Sequence, residues 1–196
     1  MKTDLDDISM KIIQVARSLF EENGYDKVNM FQIAKAAGIG QGTLYRRFSS
    51  INDLSMAIVD EDSKNICQNS IAYLSVIKYM PVKEQLCAFL KMIIHFFDNE
   101  IKLVGFPKPD NIIDDSMEES PFYVFLFSTT KGFLEEAKRQ NILKPIDIDF
   151  TALMLNSCII NPELIYRMRQ QFNLSIDDYL NNCQALMIDS LFIDNN

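Results

Sequence analysis

Between residues 27 and 48 the chain carries Lys27, Lys35, Arg46 and Arg47 and no acid. Gln41, Gly42, Thr43 and Tyr45 share the end of that window with Leu44 and Phe48, which fall at the apolar positions. These residue types suit the edges and backbone of a nucleic acid. A Gln amide can pair with an adenine edge, and a Thr methyl can touch a thymine methyl. Gly42 allows close backbone approach. The Tyr45 hydroxyl and the Arg46 and Arg47 guanidinium groups can hold phosphates, and Arg46 can instead reach a guanine. Asn29 and the N–H groups behind it can receive a phosphate at the start of another helix.

The charge distribution favours the same reading. The whole chain has 196 residues and a net charge of −8, which taken alone argues against a polyanion partner. Residues 1–26 hold three bases and six acids, giving −3; residues 27–48 give +4; residues 49–196 hold twelve bases and twenty-one acids, giving −9. One short basic window in an otherwise acidic chain would orient the molecule on DNA.

The elements that must position this window are helices. Apolar residues make up 48% of the chain, enough for a full core. No Asn-Gly or Asp-Gly hairpin turn and no sustained alternation occurs, so the fold class is all-α. Ile8, Ile12, Val15, Ala16, Leu19 and Phe20 line one helix face, stopped by Asn23-Gly24. Asn29 is an N-cap for a second helix through Ala37, and Gly38 ends it. A third short helix runs from about Gln41 to Phe48, with Leu44 and Phe48 inward. The pattern over 29–48 is a helix-turn-helix whose short third helix enters the major groove by its N-terminus.

Further helices are expected from Ser50 or Asn52 toward Tyr79, from Pro81 through the stripe Val82, Leu86, Phe89, Leu90, Ile93 and Phe97, and from Ser120-Pro121 to about Ala137. Another starts at Asp147 and breaks at Pro162, and the last follows the Ser175-x-x-Asp178 capping box. The stretch from about 98 to 120 reads as a long connection with acidic pairs at Asp114-Asp115 and Glu118-Glu119.

Residues 8–54 resemble the N-terminal domain of the TetR/AcrR family of bacterial transcription regulators. The matching pieces are Ala16-Arg17-x-Leu-Phe20, Asn23-Gly24-Tyr25, Ile33-Ala34-x-x-Ala37-Gly38 and Gly42-Thr43-Leu44-Tyr45-x-x-Phe48. The resemblance implies a helix-turn-helix DNA-binding domain at 1–50, a helical ligand-binding and dimerisation domain at 51–196, and a homodimer. It implies a repressor that reads a near-palindromic operator on double-stranded DNA and is released by a small-molecule effector. Three positions depart from the family. Gly40 stands where Ser is frequent, so the third helix loses a side-chain cap. Arg47 replaces His or Tyr, and Ile51 replaces a Lys expected to touch phosphate; Arg47 is expected to compensate.

Fourteen Phe are many for this length. Phe89, Phe96, Phe97, Phe122, Phe125 and Phe133 lie on two successive helices and could wall an apolar or amphipathic ligand pocket. Tyr179, Cys183, Leu186, Met187 and Leu191 form a stripe on the last helix that a dimer partner could cover. The dispersed Cys67, Cys87, Cys158 and Cys183 support neither a metal site nor a disulfide, and read as buried thiols. His95 has no partner set for catalysis, so no enzyme and no cofactor is expected. Asp4, Asp6 and Asp7 do not suit a signal peptide, and no apolar run spans a membrane, so the expected location is the cytoplasm. Two other readings remain at this point: the same fold with a protein-binding C-terminal domain, and an enzyme or carrier with an incidental helix-turn-helix.

Overall fold

A computed structural model describes residues 6–105 and 120–193, and among them the regular elements are helical. Among the described residues a single isolated bridge pairs Leu143 with Phe192. The described residues fall into two compact units: those within Met1–Ser63 and Glu100–Lys108, and those within Lys64–Asn99 and Pro109–Asn196.

The first unit starts with α1 (Asp7–Asn23), a 3₁₀ turn (Tyr25–Lys27), α2 (Met30–Ala37) and α3 (Gln41–Tyr45). Its ends are set by side chains. Asp6 caps α1 by accepting from the Ser9 amide at 2.7 Å. Asn29 and Gln32 form a reciprocal capping box on α2, with bonds of 3.0 and 2.8 Å. Gly38 sits at φ +67°, a left-handed turn that a residue with a Cβ resists, and it redirects the chain into α3. Ile12, Ala16, Phe20, Ile33, Ala34, Leu44 and Phe48 are buried together, so the apolar stripes read from spacing do meet in one core.

That core takes in more than the first three helices. α4 (Ile51–Ile77) buries Leu54 and Ile58 in it, and the end of α5 (Val82–Val104) adds Val104. The boundary expected at residues 50 and 51 therefore lies inside the first unit, because Leu54 and Ile58 of α4 are buried in its core. α5 also runs past its expected end near residue 98 to Val104, where Leu103 and Val104 keep the apolar spacing. Gly105 then closes it at φ +71°, and a Cβ there would come within 3.2 Å of the Tyr25 ring. The acidic pairs Asp114-Asp115 and Glu118-Glu119 lie outside the described residues.

The second unit contains the rest of α4 and α5, with α6 (Pro121–Arg139), α7 (Ile148–Ile159), α8 (Pro162–Phe172) and α9 (Ile176–Cys183). Ser120 and Pro121 open α6, and Asp147 caps α7. Pro162 ends α7 as expected, and it then serves as the first residue of α8, capped by Asn161. The Ser175–Asp178 capping box opens α9. The last helix is not continuous: Gln184–Ile188 form a π turn and Asp189–Leu191 a 3₁₀ turn. Inside the unit, Thr130 donates to Asn156 at 2.9 Å with both side chains buried, and Arg169 is paired with the buried Asp98.

Candidate nucleic-acid interface

α3 is short, but one of its faces is fixed. Leu44 is fully buried and Phe48 nearly so, which leaves Gln41, Gly42, Tyr45 and Arg46 exposed, with Thr43 and Arg47 half-buried. The residues expected to read bases thus share the open side of a helix anchored by its opposite side. Gly40 occupies the N-cap and makes no side-chain bond there, as its lack of a hydroxyl requires. A Cβ placed on Gly42 would meet nothing of the protein within 4 Å. The glycine is therefore not demanded by packing, which leaves room for a close external approach as its reason.

Beside Tyr45 lies a shallow hollow of about 590 Å³ between the start of α2 and the start of α4. Asn29, Met30, Phe31, Ser49, Ser50 and Ile51 line it with the tyrosine. Residues from the starts of two helices line it, and a helix start carries the positive end of the helix dipole. The α4 terminus is organised by Asp53, which accepts from the Ser49 amide at 2.8 Å and donates its own amide to Ser50 Oγ at 3.1 Å. Asn29 lines this hollow, and its carboxamide oxygen is committed to the Gln32 amide. Phe31, 59% exposed, and the two serines were not anticipated. The serines follow directly after Phe48, where the sequence offered only the start of a helix as a cue.

Ile51 packs half-buried against the core and offers no charge, in line with its apolar type. Arg47 is not free. Its Nη2 donates to Asp6 Oδ2 at 2.7 Å and its Nε to Oδ1 at 3.4 Å. Arg46 Nη2 lies 3.5 Å from Thr43 Oγ1, at the limit of a hydrogen bond.

The six phenylalanines named as candidates to wall a ligand pocket pack largely against one another. Phe89 and Phe96 are buried, and Phe97, Phe122, Phe125 and Phe133 are half-buried. Their rings pack on one another: Phe89 lies 6.0 Å from both Phe125 and Phe133, and Phe96, Phe97 and Phe122 form a triangle of 5.4–5.8 Å. These are edge and tilted contacts of a packed aromatic core. A separate hollow of about 150 Å³ lies between α5 and α9, lined by Cys87, Lys91, Ile159, Asp177, Asn181 and Cys183 among others.

Of the stripe on the last helix, Leu186 is 75% exposed, whereas Cys183, Met187 and Leu191 are half-buried. Tyr179 must be corrected: it is buried, and its hydroxyl donates to the carbonyls of Cys158 and Ile159 at 3.2 and 3.0 Å. It fastens α9 to the end of α7 and offers nothing to a partner. The four thiols are free and half-buried rather than fully buried. Burial pushes the Cys87 thiol up to about 11, so it stays protonated.

Residues 12–58 match the sequence profile of the bacterial regulatory proteins, tetR family. An HTH-type transcriptional regulator of Staphylococcus aureus (strain USA300) is 39% identical over 62 residues, covering 32% of this chain and 34% of the relative. The match thus spans about a third of the curated relatives' length. Among solved structures, a transcriptional regulator from Saccharomonospora viridis in complex with choline superposes with a TM-score of 0.68 at 17% identity, covering 95% of this chain and 98% of the other. The regulator RolR in complex with resorcinol gives 0.63 at 20% identity, covering 94% and 87%. At these identities the structural likeness concerns the fold.

Proposed function

We propose that this chain, whose N-terminal unit belongs to the bacterial regulatory proteins of the tetR family, is a sequence-specific DNA-binding transcription regulator. One observation carries the reading: the open face of α3 presents Gln41, Gly42, Thr43, Tyr45 and Arg46 from a helix whose other face is sealed into the core. Gln41 and Thr43 read base edges in the major groove, and Gly42 permits the approach. Tyr45, Arg46 and Arg47 hold phosphates, and the hollow beside Asn29, Ser49 and Ser50 takes another.

The working form is a homodimer, with DNA binding assigned to the first compact unit and ligand binding and dimerisation to the second. Support comes from exposed apolar side chains: Phe150, Leu153 and Met154 on α7, at 62%, 41% and 39%, and Leu186 at 75%. Cys183, Met187 and Leu191, half-buried, are assigned to the same interface. A twofold dimer sets two recognition helices roughly 34–36 Å apart, matched to a near-palindromic operator. Regulation is by repression that a small apolar or amphipathic ligand relieves. Two structural relatives hold choline and resorcinol, and the second unit here has a hollow of about 150 Å³, the size of cavity that holds a benzene ring. To move a 1:99 ratio of states to 99:1 such a ligand needs about 5.5 kcal/mol of differential affinity. No described helix is long and apolar enough to cross a membrane.

Selection of bound sequences from a randomised duplex library tests the core of the reading. It should return a site with two related halves, and Gln41→Ala should relax one position in each half by about 1–3 kcal/mol. Recovery without sequence preference would refute specific reading. Sedimentation at micromolar concentration tests the dimer, and a monomer there would overturn it. If small molecules leave operator binding unchanged while a protein partner alters it, the ligand part gives way to partner control.

A further inference from the structure

Arg47, assigned above to a phosphate, already holds an anion. Asp6 reaches it from 41 residues away, and the two make a forked pair through Nε and Nη2. Asp6 is itself held in place, because its Oδ1 caps α1 through the Ser9 amide at 2.7 Å. The Arg47 guanidinium and the Ser9 donors hold the Asp6 carboxyl well below the usual carboxylate range, so it is an anion wherever DNA binding takes place. A planar carboxylate on the Nε–Nη2 edge occupies the same donors that a phosphate takes in a two-point contact.

We propose that Asp6 is a positioning residue that competes with operator phosphate for Arg47. The arginine rests on Asp6 in the free protein and transfers to the DNA backbone on binding, so association includes breaking one internal ion pair. The pair is suited to exchange: the Asp6 side chain is 58% exposed and that of Arg47 22%. An exposed ion pair is worth a factor of about 1.4–5 in an equilibrium, less than a DNA backbone can offer a cation at low salt. Asp6 would thereby set the affinity of binding, and the inference rests on the DNA-binding reading.

The test is fluorescence anisotropy with a random-sequence duplex over a series of salt concentrations, because a phosphate contact is independent of sequence. Asp6→Asn keeps an N-cap acceptor for Ser9 and removes the charge. Asp7→Asn makes the same charge change one residue away. Asp6→Asn should bind about two- to five-fold tighter than wild type at low salt, with a log–log salt slope close to that of wild type, because Arg47 reaches the same phosphate in both. Asp7→Asn should gain less. Arg47→Ala should weaken binding and flatten the slope by about one, and adding Asp6→Asn to it should give no more than Asp7→Asn does.

A gain for Asp6→Asn no larger than for Asp7→Asn overturns the proposal, as does a gain that persists without Arg47. Weaker binding by Asp6→Asn would mean that the carboxylate presents Arg47 to DNA rather than competing for it. Thermal melting checks that the cap survives, and Asp6→Ser, another capping residue, replaces Asp6→Asn if it does not. If the wild type binds no duplex, the DNA-binding reading itself fails; if it binds and the variants behave alike, only the role of Asp6 fails.

Discussion

Glu100 offers a measurable consequence of the way the first unit is built. It is only 8% exposed, and its Oε2 has no hydrogen-bond partner. It sits beside Asp62 of α4, whose carboxylate is paired with Arg17 of α1. Three helices therefore bring two acids and one guanidinium together. Burial first, and the neighbouring Asp62 second, push the Glu100 carboxyl up to about 8, with Arg17 pulling weakly the other way. Near neutral pH the native protein keeps a proton on Glu100 that the unfolded chain, with a carboxyl near 4.5, has released.

Stability must then fall as pH rises from about 4.5 to about 8, because the native state binds more protons throughout that window. The full slope is about 1.4 kcal/mol per pH unit. With relaxation of the buried group, a total loss on the order of 2–3 kcal/mol is expected by pH 7. Glu100→Gln is nearly isosteric and neutral, so it should remove this slope and stabilise the protein at pH 7 while changing little at pH 5. Urea unfolding followed by far-UV circular dichroism from pH 5 to 8, on both proteins at one concentration, measures the difference. Asp6, whose carboxyl is lowered, contributes stability that is lost only as pH falls below its unfolded value of 3.8, outside this window. Parallel pH profiles for the two proteins would refute the reasoning, as would destabilisation by Glu100→Gln across the range. Either would mean that Glu100 is ionised and paired in the native state.

The glycines at the N-cap and inside α3 give two predictions, only one of which involves DNA. Gly42→Ala should fold normally and gain up to about 1 kcal/mol of stability from helix propensity, yet lose affinity for duplex DNA; unchanged binding by anisotropy would remove close approach as the reason for the glycine. Gly40→Ser restores a side-chain cap at a position where a Cβ meets nothing within 4 Å, and should raise the unfolding free energy by a few tenths of a kcal/mol in urea melts. Phe150→Asp should shift sedimentation from dimer to monomer while leaving the helical circular dichroism signal unchanged, since the side chain is 62% exposed.

The first unit was legible because local signals and tertiary ones agree there. Asn29, Gly38 and the inward Ile33, Ala34 and Leu44 each specify a cap, a turn or a core position within a few residues, and each is found in that role. What was not legible is long-range. Nothing near Arg47 in sequence announces Asp6, and nothing near Arg17 announces Asp62 and Glu100. Apolar spacing places these charged residues on helix faces without saying which faces meet. The hollow beside Tyr45 escaped for the same reason: Phe31, Ser49 and Ser50 come from the starts of two helices whose approach depends on the core beneath them.

The ligand reading exposes a deeper limit of sequence patterns. Spacing places Phe89, Phe96, Phe97, Phe122, Phe125 and Phe133 on inward helix faces, but such a stripe reads the same whether its rings enclose a space or fill it. Here they form two groups, Phe89 with Phe125 and Phe133 and Phe96 with Phe97 and Phe122, with ring centroids 5.4–6.0 Å apart inside each. The open volume lies instead between α5 and α9, where Gln184–Ile188 leave α-helical register for a π turn and where Gln184 and Ile188 help line the hollow. One extra residue in a turn rotates the following side chains away from the face that the capping box at Ser175 had set. Space there follows from a break in periodicity, while the sequence reading of the last helix depended on that periodicity continuing to Leu191. The same turn carries Leu186, which it leaves exposed, whereas Tyr179, one helix segment earlier, is held by its bonds to the Cys158 and Ile159 carbonyls.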